Sequence, residues 1–165
     1  MKNTLRRAGY SLVELMMAVA IVGIIASVGP RMLIQAQNYF LMTTARNEIQ
    51  RDARACIEIL NRFLRQGKAT SIVISTPSGQ GPMSRIDFQL IDGRNVSFRQ
   101  NGAQLIQRFS GKENILSRNL SYIAFTFPRS DDPTLVSVSM TMSKNVQLGR
   151  KKALELTIQK IRVMN

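Results

Sequence analysis

The chain has 165 residues, 44% of them hydrophobic, and a formal net charge of +13 from 23 basic and 10 acidic residues. This length suits one compact domain with an extension, and the apolar content argues against disorder. One cysteine and no histidine exclude an intramolecular disulfide, a cysteine-based metal cluster and a histidine general base. The sequence also lacks a glycine-rich phosphate loop. We therefore predict a non-enzymatic protein without a cofactor or a metal, whose basic excess suits an anionic partner such as lipid or nucleic acid.

A short basic leader precedes a long apolar run. Residues 1–9 carry three basic side chains, and Glu14 is the single charged residue between positions 10 and 29. As a helix rising about 1.5 Å per residue, this run covers the roughly 30 Å hydrocarbon core of a bilayer. The basic flank predicts that the N-terminal end stays in the cytoplasm and that the chain after Pro30 is exported.

Two ordinary interpretations of this run leave Glu14 unexplained. A secretory signal peptide would have a cleavage site at its far end, and residues 26–28 match such a site weakly. A plain signal anchor fits the length better. A carboxylate deep in a membrane helix costs a few kcal/mol and usually marks a partner or a function, although a glutamate near a helix end can also reach the interface.

Gly9, Tyr10, Glu14 and the apolar run that follows resemble the prepilin signature of type IV pilins and pseudopilins. The resemblance implies that a prepilin peptidase cleaves between Gly9 and Tyr10, methylates the new amino terminus and leaves the apolar helix in place. Tyr10 stands where phenylalanine is more usual. Glu14 becomes the fifth mature residue, the glutamate that in this family is thought to neutralise the terminal amine of a neighbouring subunit during assembly.

From Arg31 the pattern becomes amphipathic, and it ends at Gly67, a helix stop signal. Apolar residues recur at steps of three and four and predict one buried stripe of a helix: Ile49, Ala53, Cys56, Ile57, Leu60 and Leu64. We expect the lone cysteine to act as a small buried hydrophobe. The chain is thus divided into a cleaved leader (1–9), a transmembrane or filament-core helix (10–30), an amphipathic helix of the exported domain (31–67) and an antiparallel β-sheet domain (68–165).

Short alternating segments separated by turn signals predict antiparallel strands after Gly67, with one face buried against the helix stripe. The predicted strands cover 72–75, 86–90, 96–98, 103–109, 122–127, 135–143 and 154–163. In the last of them the apolar phase slips near Gln159 and Lys160, which predicts a β-bulge. The fold class is therefore α+β, a long N-terminal helix packed on a largely antiparallel β-sheet domain, and the pilin resemblance implies the same lollipop arrangement.

The strands after the helix are similar to those of the J-type minor pseudopilins of type II secretion and of minor pilins in type IV pili. The resemblance implies a single-pass protein of the bacterial inner membrane, with its C-terminal domain on the periplasmic side and in the filament. Its partners would be the prepilin peptidase and other pilins or pseudopilins in a filament, where it acts in a tip or initiation complex.

A DNA-binding minor pilin of a natural-competence system is the alternative, and a generic signal-anchored exported protein is a third possibility. Basic residues cluster near the C-terminus (Arg150, Lys151, Lys152, Lys160 and Arg162) and among the hairpins (Arg85, Arg94, Arg99 and Arg108). A solvated basic face is the simpler interpretation, because no aromatic stacking platform accompanies these residues. Asp131 and Asp132, flanked by proline, are typical of a turn rather than of a calcium site.

Overall fold

The computed structural model describes residues 10–146 and 151–163. One α-helix, α1 (Leu12–Arg65), is followed by a short 3-10 turn (Ala69–Ser71) and by eight strands. The strands are β1 (Val73–Ser75), β2 (Arg85–Gln89), β3 (Asn95–Asn101), β4 (Gln104–Phe109), β5 (Lys112–Ser117), β6 (Leu120–Thr126), β7 (Leu135–Val146) and β8 (Lys151–Arg162). The chain divides into two compact units after Leu41, and each is described separately.

The first unit is helical from Leu12 to Leu41. Leucine, methionine and alanine, which favour helix formation, are frequent in its first half. Pro30 lies inside the helix and has no N–H group, so the carbonyl of Ala26 loses the donor that a helix normally supplies. The helix nevertheless continues through this position without a break.

In the second unit, α1 buries the stripe that the sequence predicts. Its buried residues are Ala45, Ile49, Ala53, Cys56, Ile57, Leu60 and Leu64. The helix ends just before Gly67, where a Cβ atom would lie 2.9 Å from a ring carbon of Phe88. Only glycine allows the chain to leave the helix this close to the sheet. Gly67 then forms an isolated antiparallel bridge with Leu90.

The strands form two antiparallel sheets. One has the order β1-β2-β3-β4-β5 and the other the order β6-β7-β8. Gly93 and Gly102 adopt positive φ angles of 86° and 57° in the turns on either side of β3, as their turn signals predict. The α+β fold class, one long helix packed on antiparallel β-sheets, is thereby confirmed. The division of the strands between two sheets, and strand β5, are absent from the sequence prediction.

Side chains of α1 and of both sheets share one hydrophobic core. Phe98 lies at its centre, with ring centroids 6.0 Å from Phe63 of the helix and 6.2 Å from Phe88 of β2. Cys56 is buried in the same core, and burial raises the pKa of its thiol to about 12. The thiol is therefore protonated at neutral pH, which confirms the prediction of a small buried hydrophobe.

The predicted bulge near Gln159 and Lys160 is wrong. β7 and β8 pair without a register shift from Leu135–Arg162 to Val146–Lys151. Instead, the apolar residues before Gln159 and those after Lys160 lie on opposite faces of the strand. Ile161 is buried, whereas Leu156 and Ile158 are 65% and 63% exposed. The phase slip in the sequence therefore reflects exposed apolar side chains on a regular strand and not an extra residue in the backbone.

An ion pair connects the helix to the smaller sheet. Lys144 of β7 donates a hydrogen bond to Glu48 of α1, and this bond is the main cause that lowers the pKa of Glu48 from 4.5. A carboxyl group whose pKa is lower in the folded than in the unfolded protein stabilises the fold above its unfolded pKa. That contribution disappears as the pH falls through the folded pKa.

We accordingly expect Glu48→Gln to lower the melting temperature at pH 7, with the difference from the wild type shrinking as the pH falls below about 4.5. Circular-dichroism melts at several pH values measure this. Glu58→Gln, an exposed position on the same helix, is the matched control. A Glu48→Gln difference that stays constant with pH would show that the ion pair does not contribute.

Candidate functional site

The first turn of α1 contains a reciprocal capping box. The backbone N–H of Ser11 donates to Glu14 Oε2 at 2.9 Å, and the backbone N–H of Glu14 donates to Ser11 Oγ at 3.3 Å. This arrangement satisfies two donors that a helix N-terminus otherwise leaves unpaired. It also places a carboxylate at the positive end of the helix dipole. Glu14 therefore has a structural role within its own chain.

Ser11 is a site residue that the sequence interpretation missed. The signal is present, because Ser11 and Glu14 form a Ser-x-x-Glu pattern directly before an apolar run. Of the two residues at the predicted cleavage position, Tyr10 is 89% exposed, and Gly9 lies outside the described residues.

The apolar side chains of the first unit are exposed. Every Leu, Ile, Val, Met and Phe from Leu12 to Leu41 is solvent-accessible in the isolated chain. Of the helices that the structure describes, α1 is long and apolar enough to cross a membrane, and none of its apolar window is buried within the protein. Such a surface requires another apolar environment.

This apolar surface continues beyond the length of a membrane span. From Leu12 to Gly29 the helix is about 27 Å long, close to the roughly 30 Å of a bilayer core. Beyond Arg31, six more large side chains are exposed: Met32, Leu33, Ile34, Tyr39, Phe40 and Leu41. They extend the apolar surface to about 45 Å. A bilayer alone does not cover it.

The basic residues named for nucleic-acid binding are only partly described. Arg150 lies outside the described residues. Lys151 and Lys152 are the first two residues of β8. Lys160 and Arg162 are exposed two residues apart on β8, so they lie on the same face of that strand. The structure thus brings together two of the five predicted residues.

The acidic turn before β7 is held by local hydrogen bonds. Asp132 accepts hydrogen bonds from the Thr134 backbone N–H, at 3.0 Å, and from the Thr134 hydroxyl. These bonds lower the pKa of Asp132. This is the arrangement of a turn-forming aspartate. In the described part of the chain, no three acidic or cysteine side chains group together as metal ligands.

Comparison with known protein families finds one match at the N-terminus. The model of the prokaryotic N-terminal methylation motif matches residues 4–29. A comparison with curated proteins found no match. The matched segment covers residues 4–9 of the leader, Tyr10, the capping box and the apolar start of α1. A motif of this type implies membrane association, prepilin peptidase processing and pilin partners, and it belongs to structural proteins rather than enzymes.

The motif and the architecture agree with each other. The apolar helix fits a single-pass anchor in the inner membrane, and one long helix on antiparallel sheets is consistent with a pilin-like fold. Residues 4–29 therefore match a motif of type IV pilin-like proteins, and the motif and the fold together support a structural subunit of the pilin or pseudopilin type.

Proposed function

We propose that this chain is a minor pseudopilin or minor pilin that enters a filament through α1 and acts in its tip or initiation complex. The observation that carries the proposal is the exposed apolar surface of α1 from Leu12 to Leu41. Once the helix leaves the bilayer, water around these side chains would be costly, at about 25 cal/mol per Å² of apolar surface. Helices of the same kind from neighbouring subunits would cover it along its whole length.

Glu14 would set the position of the incoming subunit. Cleavage between Gly9 and Tyr10 creates an ammonium group, and a carboxylate attracts it strongly where the dielectric constant is low. The capping box is compatible with this role. It uses one oxygen of Glu14, Oε2, and a carboxylate accepts about four hydrogen bonds. Glu14 can therefore cap its own helix and still bind a neighbour's terminal amine.

The minor role is supported by the β-domain. Within residues 10–146 and 151–163, eight strands follow one α-helix. A long set of strands after the helix is the feature in which the sequence resembles J-type minor pseudopilins and minor pilins. We further propose that the second unit lies on the exported side of the membrane. The three basic residues of the leader favour this orientation.

Mass spectrometry of sheared, purified filaments tests the proposal. We expect the chain to begin at a methylated Tyr10, to retain the apolar helix and to be present in far fewer copies than the main subunit. Gly9→Leu, which changes the residue before the cut, should keep the leader and be absent from filaments. A chain that begins at Met1 or after residue 28 would contradict the processing, and a copy number equal to the main subunit would contradict the minor role.

A further inference from the structure

One long edge of the three-stranded sheet is open. β8 pairs with β7 on one side, and in the described part of the chain no strand pairs with it on the other side. The pairing with β7 is regular from Leu135–Arg162 to Val146–Lys151, so the open edge runs the whole length of β8 without a bulge. A regular open edge offers a row of unpaired backbone N–H and C=O groups to another strand.

The backbone groups that point out of this edge follow from one hydrogen bond. The N–H of Val163, directly after β8, donates to the carbonyl oxygen of Thr134 at 2.7 Å and therefore points toward β7. In an antiparallel pair the hydrogen-bonding groups of alternate residues point to the same side. Within residues 10–146 and 151–163, no backbone group outside the sheet pairs with the groups that point away from β7. These groups belong to Leu156, Ile158, Lys160 and Arg162.

The side chains of the same four residues share one face of the sheet and are exposed. Leu156 and Ile158 are 65% and 63% exposed, and Lys160 and Arg162 are exposed as well. Ile161, which alternates with them, is buried in the core, so the four side chains lie on the face that does not pack on α1. The open edge thus presents two apolar side chains followed by two cationic ones.

The two cationic side chains are not neutralised by a carboxylate of the fold. Over residues 10–146 and 155–163, neither Lys160 nor Arg162 forms an ion pair. The charge of Arg162 contributes to lowering the pKa of Asp132, after the two hydrogen bonds that Asp132 accepts from Thr134. Lys160 has the weaker tie to the fold. A carboxylate opposite Lys160 would therefore gain an ion pair without breaking one.

The open edge is better suited to a polypeptide than to a nucleic acid. Each of its four outward-pointing residues contributes one donor and one acceptor, the backbone N–H and C=O. Phosphate oxygens accept hydrogen bonds but do not donate them, so a nucleic acid bound through its phosphates would leave the four carbonyl groups without partners. Leucine and isoleucine also provide no aromatic ring for stacking on a base. Another β-strand supplies both donors and acceptors.

A second copy of this chain matches the edge less well. β8 contains four basic residues and one acidic residue, a formal charge of four minus one, or +3. If two β8 strands aligned antiparallel with Leu156 opposite Ile158, Arg162 would lie opposite Lys152. Like charges directly opposite each other are destabilising. Basic residues on an edge strand are a common device against self-association, whereas an acidic strand would be attracted by them.

We propose that β8 accepts an extended segment of a different polypeptide as an additional antiparallel strand. The segment would present two alternate acidic residues and then two alternate apolar residues. The acidic pair would lie beside Arg162 and Lys160, and the apolar pair would pack on Ile158 and Leu156. In this mode of recognition the main-chain hydrogen bonds give affinity and the side chains give specificity. The site does not depend on the filament role proposed above.

Fluorescence anisotropy of a labelled heptapeptide, titrated with the full-length protein in a non-ionic detergent, tests the site. The probe Glu-Thr-Glu-Thr-Val-Thr-Val, running antiparallel to β8, lies opposite residues 162 to 156 in that order. The same peptide with both valine nitrogens methylated is the matched control. It keeps the charges and the apolar side chains but lacks two main-chain donors, so we expect it to bind about tenfold more weakly or less.

Variants of the protein test the same contacts from the other side. Ile158→Pro removes an N–H that points away from β7, which an edge strand tolerates, and should weaken binding of the probe about tenfold or more. Ile158→Val keeps both backbone groups and should bind within about twofold. Lys160→Gln should weaken binding about twofold to fivefold, the size of an exposed charge pair. Arg54→Gln makes the same charge change at an exposed position of α1 and should have no such effect.

The proposal is overturned if the probe does not bind, if the methylated peptide binds as tightly as the probe, or if Ile158→Pro keeps the affinity of the wild type. A dimer in sedimentation velocity that Ile158→Pro abolishes would assign the edge to a second copy instead. A short oligothymidylate that displaces the probe from the wild type but not from Lys160→Gln would assign it to a nucleic acid. Filament incorporation is measured separately, so these results leave the filament role untouched.

Discussion

Glu14→Gln should leave α1 capped and the protein in the membrane, yet remove it from assembled filaments. Glutamine at this position of a capping box still offers an oxygen to the backbone N–H of Ser11, so the geometry seen at 2.9 Å can persist. It has no charge to attract a neighbour's ammonium group. The substitution therefore separates the two roles of Glu14. Immunoblots of the membrane and sheared-filament fractions measure the result, with nearly complete loss expected from the filament fraction.

Two further variants complete this experiment. Ser11→Ala removes one half of the capping box, at a cost of about 1 kcal/mol in helix stability, but keeps the carboxylate, so incorporation should continue. Glu14→Val removes both roles and should fail to assemble. If Glu14→Gln is incorporated as well as the wild type, charge pairing is not required and Glu14 serves as a helix cap.

Phe98→Ala should produce the largest loss of stability in the β-domain. Phe98 is fully buried on the middle strand of the five-stranded sheet, between Phe63 and Phe88. Truncating a buried phenylalanine leaves a cavity and costs about 3–5 kcal/mol. Whole domains are stable by only about 5–15 kcal/mol. Urea titration of the full-length protein in detergent, followed by circular dichroism, should show a markedly lower unfolding midpoint.

Phe127→Ala provides the matched control, because it deletes the same atoms from a residue that is 38% exposed. Its effect should be about 1 kcal/mol or less. Equal losses for the two variants would show that the aromatic cluster around Phe98 is not the centre of the core.

Hydrophobic periodicity was sufficient to predict the fold class. The stripe from Ile49 to Leu64 recurs at helical spacing and is buried as predicted. Strand β5 could not be predicted in this way, because its residues from Lys112 to Ile115 are exposed and follow no apolar alternation. The division of the strands into two sheets could not be predicted from the sequence either. A hairpin pattern identifies neighbouring strands, but it does not show that pairing stops between β5 and β6.

The N-terminal segment was predicted from the sequence, but the part that Ser11 takes in it was not. The spacing of Gly9, Tyr10 and Glu14 identified the segment that the methylation motif matches. The hydrogen bonds of Ser11 required the structure. The row formed by Asp87, Ser97 and Arg108 on neighbouring strands also required the structure, because only the strand register places Ser97 between the other two.

The edge strand β8 of the three-stranded sheet keeps a regular backbone at a cost in free energy. β8 has no strand on its far side in the described chain, and Leu156 and Ile158 face solvent there. One inserted residue before Ile161 would turn these side chains inward, since each step along a strand reverses the facing. Because these side chains stay exposed to water, the fold loses roughly 1.5–3 kcal/mol of hydrophobic stabilisation for each of them. An unpaired edge strand that also exposes apolar side chains is the part of the sheet most prone to association, so molecules at high concentration would associate there first.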